Sequence, residues 1–249
     1  MGARRLWSYT ARMEIQGASA LVTGAGRGIG RAIALTLARA GAYVTAVSRT
    51  AVELDTLVSE IEAAGGRARA HPGDLREPQI CQGAVEVAEA HGRLQILVNN
   101  AGVGGFASVA ETSDDAWETI LGTNLTAVFR LTRAALPQLT DGGGHIFMIS
   151  SLAGSNAIAN LGAYCASKAA LDHFARCLML EVRHQGVKVT TIAPGSVNTS
   201  FGGMPREGGS DWMLQPDDIA GAVLDLLRTR DEAHLSRVEM RPSIPKKRP

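Results

Sequence analysis

The stretch Thr23-Gly24-Ala25-Gly26-Arg27-Gly28-Ile29-Gly30 decides how this chain is read, because of what stands on either side of it. Before it runs a short apolar segment of strand length, Ala20 to Val22, and after it Ile29 to Ala40 carries apolar residues at helical spacing. A glycine-rich turn that leaves a strand and opens a helix offers backbone N–H groups and the positive end of a helix dipole to an anion. Gly24 and Gly28 allow the main chain to approach a pyrophosphate, Ile29 stands at the helix start, and Gly30 permits close helix-to-strand packing. A glycine cluster elsewhere is an ordinary turn; the flanking elements make this one a candidate nucleotide site.

Outward from that turn, short β-branched or apolar runs alternate with longer segments of helical period. Strands are expected at Ala20 to Val22, Tyr43 to Val47, Arg67 to Ala70, Ile96 to Val98, His145 to Ile149, Lys188 to Ile192 and Arg237 to Arg241. Helices are expected at Ile29 to Ala40, Ala51 to Ala64, Pro78 to His91, Asp114 to Leu139, Gly162 to His184 and Pro216 to Thr229. Gly41, Gly65-Gly66 and Asp141-Gly142-Gly143-Gly144 follow helices, and Pro216 opens one. Every crossover is long enough for parallel neighbours. The expected fold is therefore α/β: a Rossmann-type doubly wound parallel sheet of seven strands, helices on both faces, one domain, with its ligand crevice at the carboxyl ends of the strands.

That domain is expected over residues 14–242, after a weakly ordered or disordered extension, 1–13, and before a basic tail, 243–249. The opening MGARRLWSYTAR has three arginines and no acid, yet no apolar stretch of the secretory kind, and Met13 is a candidate start residue. The irregular stretch at about 195–215, with Gly202, Gly203, Gly208 and Gly209, is read as a mobile substrate loop.

Composition removes several function classes. The chain has 249 residues with 25 Lys+Arg against 24 Asp+Glu, so charge gives no reason to expect a nucleic-acid partner. Cys81, Cys165 and Cys177 lack CxxC spacing, and the six histidines show no ligand spacing, so neither a disulfide framework nor a metal is expected. A reducing, cytoplasmic location fits best. Apolar runs are broken well before bilayer length.

The spacing of the glycine turn is TGxxxGxG, and four further motifs follow it in order: Asn99-Asn100-Ala101-Gly102, Ser151, Tyr164-Cys165-Ala166-Ser167-Lys168 and Pro194-Gly195. Over about Glu14 to Leu227 the chain resembles the short-chain dehydrogenase/reductase family, and is similar to 3-oxoacyl-acyl-carrier-protein reductases and carbonyl or xylulose reductases of its NADP-preferring branch. The resemblance implies NADP(H) as cofactor. An acid at the end of strand two would bind the ribose hydroxyls of NAD, whereas this chain has Ser48-Arg49-Thr50, so Arg49 and Arg27 are expected on the 2′-phosphate. By the same resemblance Asp74, with Leu75 beside it, meets the adenine. Asn100, Ala101 and Gly102 lie against the ribose, and Pro194, Gly195, Val197 and Thr199 flank the nicotinamide, Thr199 on its carboxamide.

Hydride transfer to a carbonyl leaves an oxygen that needs a proton, so an acid/base group must stand beside it. Tyr164 is the candidate; a phenol is a weak base at neutral pH, and Lys168, one helical turn on, favours its phenolate. Ser151 resembles the family residue that orients the substrate oxygen, and Asn124 the one that holds a water linking Lys168 to solvent. Cys165 is read as a small filler. Substrate contacts are expected from Phe201, Met204, Trp212, Met213 and Leu214, from Gly104-Gly105-Phe106, and from Leu152 to Asn156, with Arg206 available to an acidic group.

Three functions are compatible with this pattern. One is an NADPH-dependent carbonyl reductase, with a 3-oxoacyl thioester as a plausible substrate; another is a reductase of a small sugar, polyol or diketone. The third is a non-catalytic NADP-sensing regulator, against which the intact Ser151, Tyr164 and Lys168 stand. A homodimer or homotetramer through the helices Asp114 to Leu139 and Gly162 to His184 is expected from the family. The last strand carries Val238-Glu239-Met240-Arg241-Pro242 in place of the usual Asp-Gly-Gly turn, which puts the usual tetramer contacts in doubt.

Overall fold

Strand β1 (Ser19–Thr23) is buried along its whole length, as a central strand of a sheet covered on both faces must be. In the computed structural model, which describes residues 13–201 and 211–244, it pairs in parallel with β2 (Tyr43–Ser48) on one side and β4 (Leu94–Asn99) on the other. With β3 (Arg67–Pro72), β5 (Gly144–Ile149), β6 (Val187–Pro194) and β7 (Arg237–Met240), the order is β3-β2-β1-β4-β5-β6-β7, all parallel. The seven expected strands are all present and differ only at their ends. The extension 1–12, the loop stretch 202–210 with Met204, Arg206 and its four glycines, and the tail 245–249 lie outside the described residues.

Side-chain alternation along each strand divides the core in two. Ala20 and Val22, with Phe147, Ile149 and Ile192, pack under α1 (Gly28–Arg39), α2 (Ala51–Ala63) and α7 (Pro216–Leu227). Leu21, Leu97, Ile146, Met148 and Val189 face α3 (Pro78–Glu89) and two helices from the second half of the chain. On α1 the buried residues Gly30, Ile33, Ala34, Leu37 and Ala38 form one stripe at helical spacing. Each fully buried Leu or Ile contributes about 1.5–3 kcal/mol, so these two layers dominate the stability that fixes the strand ends.

The expected single helix Asp114 to Leu139 is corrected. It is α4 (Asp114–Leu121), a π-helical turn (Gly122–Thr126) and α5 (Ala127–Thr140) in succession. Gly122 weakens the α-helix there, and the extra residue of the wider turn swings Asn124 fully inside. Ser113 caps α4, its Oγ accepting from Ala116 N at 3.2 Å. The next helix, α6 (Gly162–Val182), ends two residues before the expected His184, in a short 3₁₀ turn closed by Gly186 at φ 77°. Among the described residues no helix is long and apolar enough to cross a membrane.

Candidate active site

Strand order reverses at β1, which has β2 on one side and β4 on the other; the crossovers leave in opposite directions and a crevice opens at the carboxyl ends. The glycine turn fills its floor. Gly24 (φ 64°) and Gly28 (φ 58°) are left-handed, a conformation that other residues resist. A Cβ on Gly24 would lie 2.8 Å from Asn100 Nδ2, and one on Gly30 would strike the Gly24 carbonyl. Arg27, the N-cap of α1, makes no capping bond, and no acid occupies the first turn, so the N–H groups at that helix end are open to an anion. The cradle therefore fits a dinucleotide pyrophosphate.

Thr23 and Asn100 pin this turn to β4. Thr23 Oγ1 accepts from Asn100 N (2.9 Å) and Ala101 N (3.0 Å) and donates to Val98 O (3.2 Å). Asn100 Nδ2 donates to Thr23 O (2.9 Å) and Gly24 O (3.3 Å), so its amide shapes the turn from beneath.

Arg27 in the glycine turn and Arg49 just past β2 are both exposed, and neither forms an ion pair among the described residues. Sequence reading missed a third charged group here. Glu53, in the first turn of α2, places Oε2 2.5 Å from where a Cβ on Gly26 would stand, and Ser48 Oγ lies 3.0 Å from the same point. Its position five residues past Ser48, on the first helical turn, was the available signal. Asp74 is bound by Arg76, with contacts of 3.0 and 2.7 Å from Nε and Nη2 to Oδ2, and this hydrogen bonding holds its carboxyl below the usual range. Leu75 has its side chain in the core, 7% exposed, and its carbonyl accepts from Cys81 Sγ at 3.2 Å.

Across the crevice, Ser151 leaves β5 in extended conformation and caps a 3₁₀ turn, Leu152–Gly154, its Oγ accepting from Ala153 N (3.1 Å). That bond uses a lone pair and leaves the hydroxyl hydrogen to donate. Tyr164 and Lys168 share one face of α6, with Lys168 Nζ 5.8 Å from the centre of the Tyr164 ring. Burial pushes the Tyr164 phenol above its usual value, and the neighbouring Ser151 hydroxyl works in the other direction. Lys168 is 4% exposed; Nζ donates to Ile149 O (2.9 Å), and burial brings its ammonium down to about 8 against the opposing pull of Asp172.

Asn124 stands behind them in the π turn. Oδ1 accepts from Val103 N (2.8 Å), and Nδ2 donates to Val103 O and to Ser167 Oγ (both 2.9 Å). Both amide hydrogens are thus used on protein atoms, so this side chain fastens the segment after β4 to α6. Gly102 leaves its bare Cα face between Asn124 and Lys168, with Oδ1 and Nζ 3.3 and 3.6 Å from where a Cβ would be.

The end of β6 closes the crevice. Gly195 N donates to Met240 O (2.8 Å), Val197 bridges Leu214, and Thr199 stands over Gly28, its Cγ2 3.3 Å from a would-be Cβ. Phe201 lies 5.5 Å from the Tyr164 ring, in space that Gly104 leaves by lacking a side chain. Cys165 Sγ is half-buried and lies 3.9 Å from the Asn156 carbonyl oxygen.

Comparison with known proteins agrees with this arrangement. The short chain dehydrogenase family profile matches residues 18–207. The chain is 31% identical over 232 residues to a sepiapterin reductase of Chlorobaculum tepidum, covering 90% of this chain and 95% of that protein. It is 35% identical over 191 residues to a 3-oxoacyl-(acyl-carrier-protein) reductase, FabG, of Pseudomonas aeruginosa, covering 76% and 77%. A metagenomic short-chain oxidoreductase solved in complex with NADP superposes with a TM-score of 0.82 at 37% identity, covering 93% of this chain and all of that one. The chain belongs to the short-chain dehydrogenase/reductase family of nicotinamide-dependent oxidoreductases.

Proposed function

We propose that this protein is an NADP(H)-dependent carbonyl reductase in which Tyr164 is the proton donor, Ser151 orients the substrate oxygen and Lys168 stabilises the phenolate. The observation that carries the reading is the meeting of Ser151, Tyr164 and buried Lys168 on the wall opposite the glycine cradle. When bound, the nicotinamide supplies the hydride. The raised affinity of the Tyr164 phenol for its proton keeps it in the acid form that carbonyl reduction needs at neutral pH. As the proton leaves, the buried Lys168 ammonium faces the developing phenolate where little water screens it. Asn124 supports both groups through Ser167, whose Oγ donates to Tyr164 O at 2.7 Å.

Gly24, Gly28, Gly30 and the open N-terminus of α1 would hold the pyrophosphate, with Ile29 beside them. Ala101 and Gly102 would border the ribose, Asp74 and the Leu75 backbone the adenine, and Pro194, Gly195, Val197 and Thr199 the nicotinamide. Preference for the 2′-phosphate rests on Arg27 and Arg49 together with Ser48, opposed by the single carboxylate of Glu53. Phe106 and Phe201, 63% and 44% exposed, make the substrate side apolar and suit a 3-oxoacyl thioester or a diketone better than a sugar. The related reductase of acyl-carrier-protein thioesters supports the first of these.

Two copies are proposed to pair through α5 and α6. Exposed Phe129 and Leu180 supply apolar surface there, and Phe129 meets Phe174 edge-on at 6.3 Å. A cytoplasmic setting suits the three free cysteines. The test is NADPH and NADH oxidation with acetoacetyl thioester, diketone and ketose substrates. The proposal expects turnover with NADPH preferred. Tight NADPH binding with no turnover of any carbonyl would overturn it in favour of a sensing role.

A further inference from the structure

Arg237, at the start of the edge strand β7, reaches away from the sheet and joins two parts of the candidate site that the family motifs do not connect. Its Nη1 donates to Asp172 Oδ2 at 2.6 Å and its Nη2 to Ser155 Oγ at 2.8 Å, while Glu239 Oε1 steadies it at 3.2 Å. Asp172 lies on α6 one turn past Lys168, on the same face, and is 6% exposed. Ser155 ends the 3₁₀ turn that Ser151 begins. Between them Gly154 rests directly on the helix: a Cβ there would be 2.8 Å from Asp172 Oδ2 and 3.0 Å from the Lys168 carbonyl oxygen.

We propose that Asp172 and Arg237 are a positioning pair, which locks the Ser151 turn onto the helix carrying Tyr164 and Lys168. The inference rests on the proton-transfer roles proposed above. A partly buried ion pair such as this one gains little stability alone, since desolvation and the water that still reaches Arg237 offset much of the attraction. This one is also incompletely satisfied, because Asp172 Oδ1 has no partner among the described residues. Its placement is what distinguishes it. Lys168 Nζ is held by the Ile149 carbonyl of β5. The titratable and charged groups around it are Tyr164 and Asp172 of its own helix and Arg237 of β7 behind Asp172, while the π turn presents neutral Asn124. Among the described residues Asp172 is thus the carboxylate that opposes the effect of burial on the lysine.

The test is the pH profile of NADPH-dependent carbonyl reduction by the full-length protein, run beside an NADPH binding titration. Reduction needs Tyr164 and Lys168 both protonated, so the rate falls as pH rises through the first deprotonation of the coupled pair. Removing a negative charge beside a cation lowers its proton affinity, so Asp172→Asn moves the alkaline limb to lower pH. It also lowers kcat about tenfold with KM for NADPH within about twofold. Arg237→Gln lowers kcat in the same way, and Arg237→Lys recovers most of it. An alkaline limb and a kcat that stay at wild-type values in Asp172→Asn would overturn the proposal, whatever happens to its melting temperature. Should Asp172→Asn fail to fold, an unchanged kcat in Arg237→Gln decides against it equally. Tyr164→Phe, run in parallel, separates the two readings: if it remains active the proton-transfer roles themselves fail, and if it is inactive while Asp172→Asn behaves as wild type, only this inference fails.

Discussion

Replacing Asn124 by Leu tests whether the π turn is held by hydrogen bonds or only by packing. The side chain is 0% exposed and makes three bonds, two to the backbone of Val103 and one to Ser167 Oγ. Leu keeps the branched skeleton but is bulkier than the planar amide, so no cavity opens, and overpacking adds to the cost of the groups left behind. Ser167 loses little, because its hydroxyl still donates to Tyr164 O. The Val103 N–H and C=O, in a half-buried segment, lose the bonds that Asn124 makes to them, at about 1–3 kcal/mol each. The expected destabilisation is therefore about 2–6 kcal/mol, and at about 2–4 °C per kcal/mol for a chain of this size the melting temperature falls by at least ~4 °C. Urea unfolding followed by circular dichroism, at matched protein concentration, measures it. A stability within about 1 kcal/mol of wild type would refute the reasoning, since it would mean that the segment after β4 satisfies those groups in some other way.

Other outcomes follow from the same geometry. Ser48→Asp with Arg49→Leu removes one charge-assisted contact and adds a repelling one. The ratio of kcat/KM for NADPH over NADH should fall about 10–100-fold, as loss of about 1.5–3 kcal/mol implies; an unchanged ratio removes the arginine mechanism. Gly30→Ala drives a methyl group against the Gly24 carbonyl and the Asn100 amide, and should weaken NADPH binding at least ~10-fold in a fluorescence titration while costing about 1–3 kcal/mol of stability. His145 is buried and stacked on Phe147, with Nε2 2.8 Å from Thr190 Oγ1, and burial, then Lys188 and His234, holds its proton affinity well below the usual value. Unfolding lets it take up a proton, so its contribution is intact above about pH 6.5 and is lost as pH falls below that. The urea midpoint should drop between about pH 6.5 and 5, and His145→Gln should show a slope shallower by about one proton.

The fold was legible because periodicity and glycine placement speak directly to local structure: buried strands such as Ala20 to Val22 read as short apolar runs, and Gly41 and Gly65 mark helix ends. The site residues were legible as types and spacings, but what each side chain touches was not. Asn100 turns its amide beneath the glycine turn, a contact 77 residues apart in sequence. The π turn escaped because Gly122 to Thr126 fits a helical period as well as its neighbours do; only the extra residue per turn distinguishes it, and that is set by what Asn124 bonds to. Glu53 was legible only as an acid on the first turn of a helix, and the Asp172–Arg237 pair was invisible for a related reason. Acidic and basic residues at such spacings are usually solvated, and only tertiary structure brings Arg237 to Asp172 across 65 residues of chain.

Tyr164 is proposed to deliver the proton in a site otherwise built to bind the cofactor. The direct measurement pairs an NADPH fluorescence titration with single-turnover carbonyl reduction for wild type and Tyr164→Phe. Binding within about twofold of wild type and a rate lowered ~10²–10⁴-fold are expected for Tyr164→Phe. Near-wild-type reduction by Tyr164→Phe, with binding intact, would contradict it.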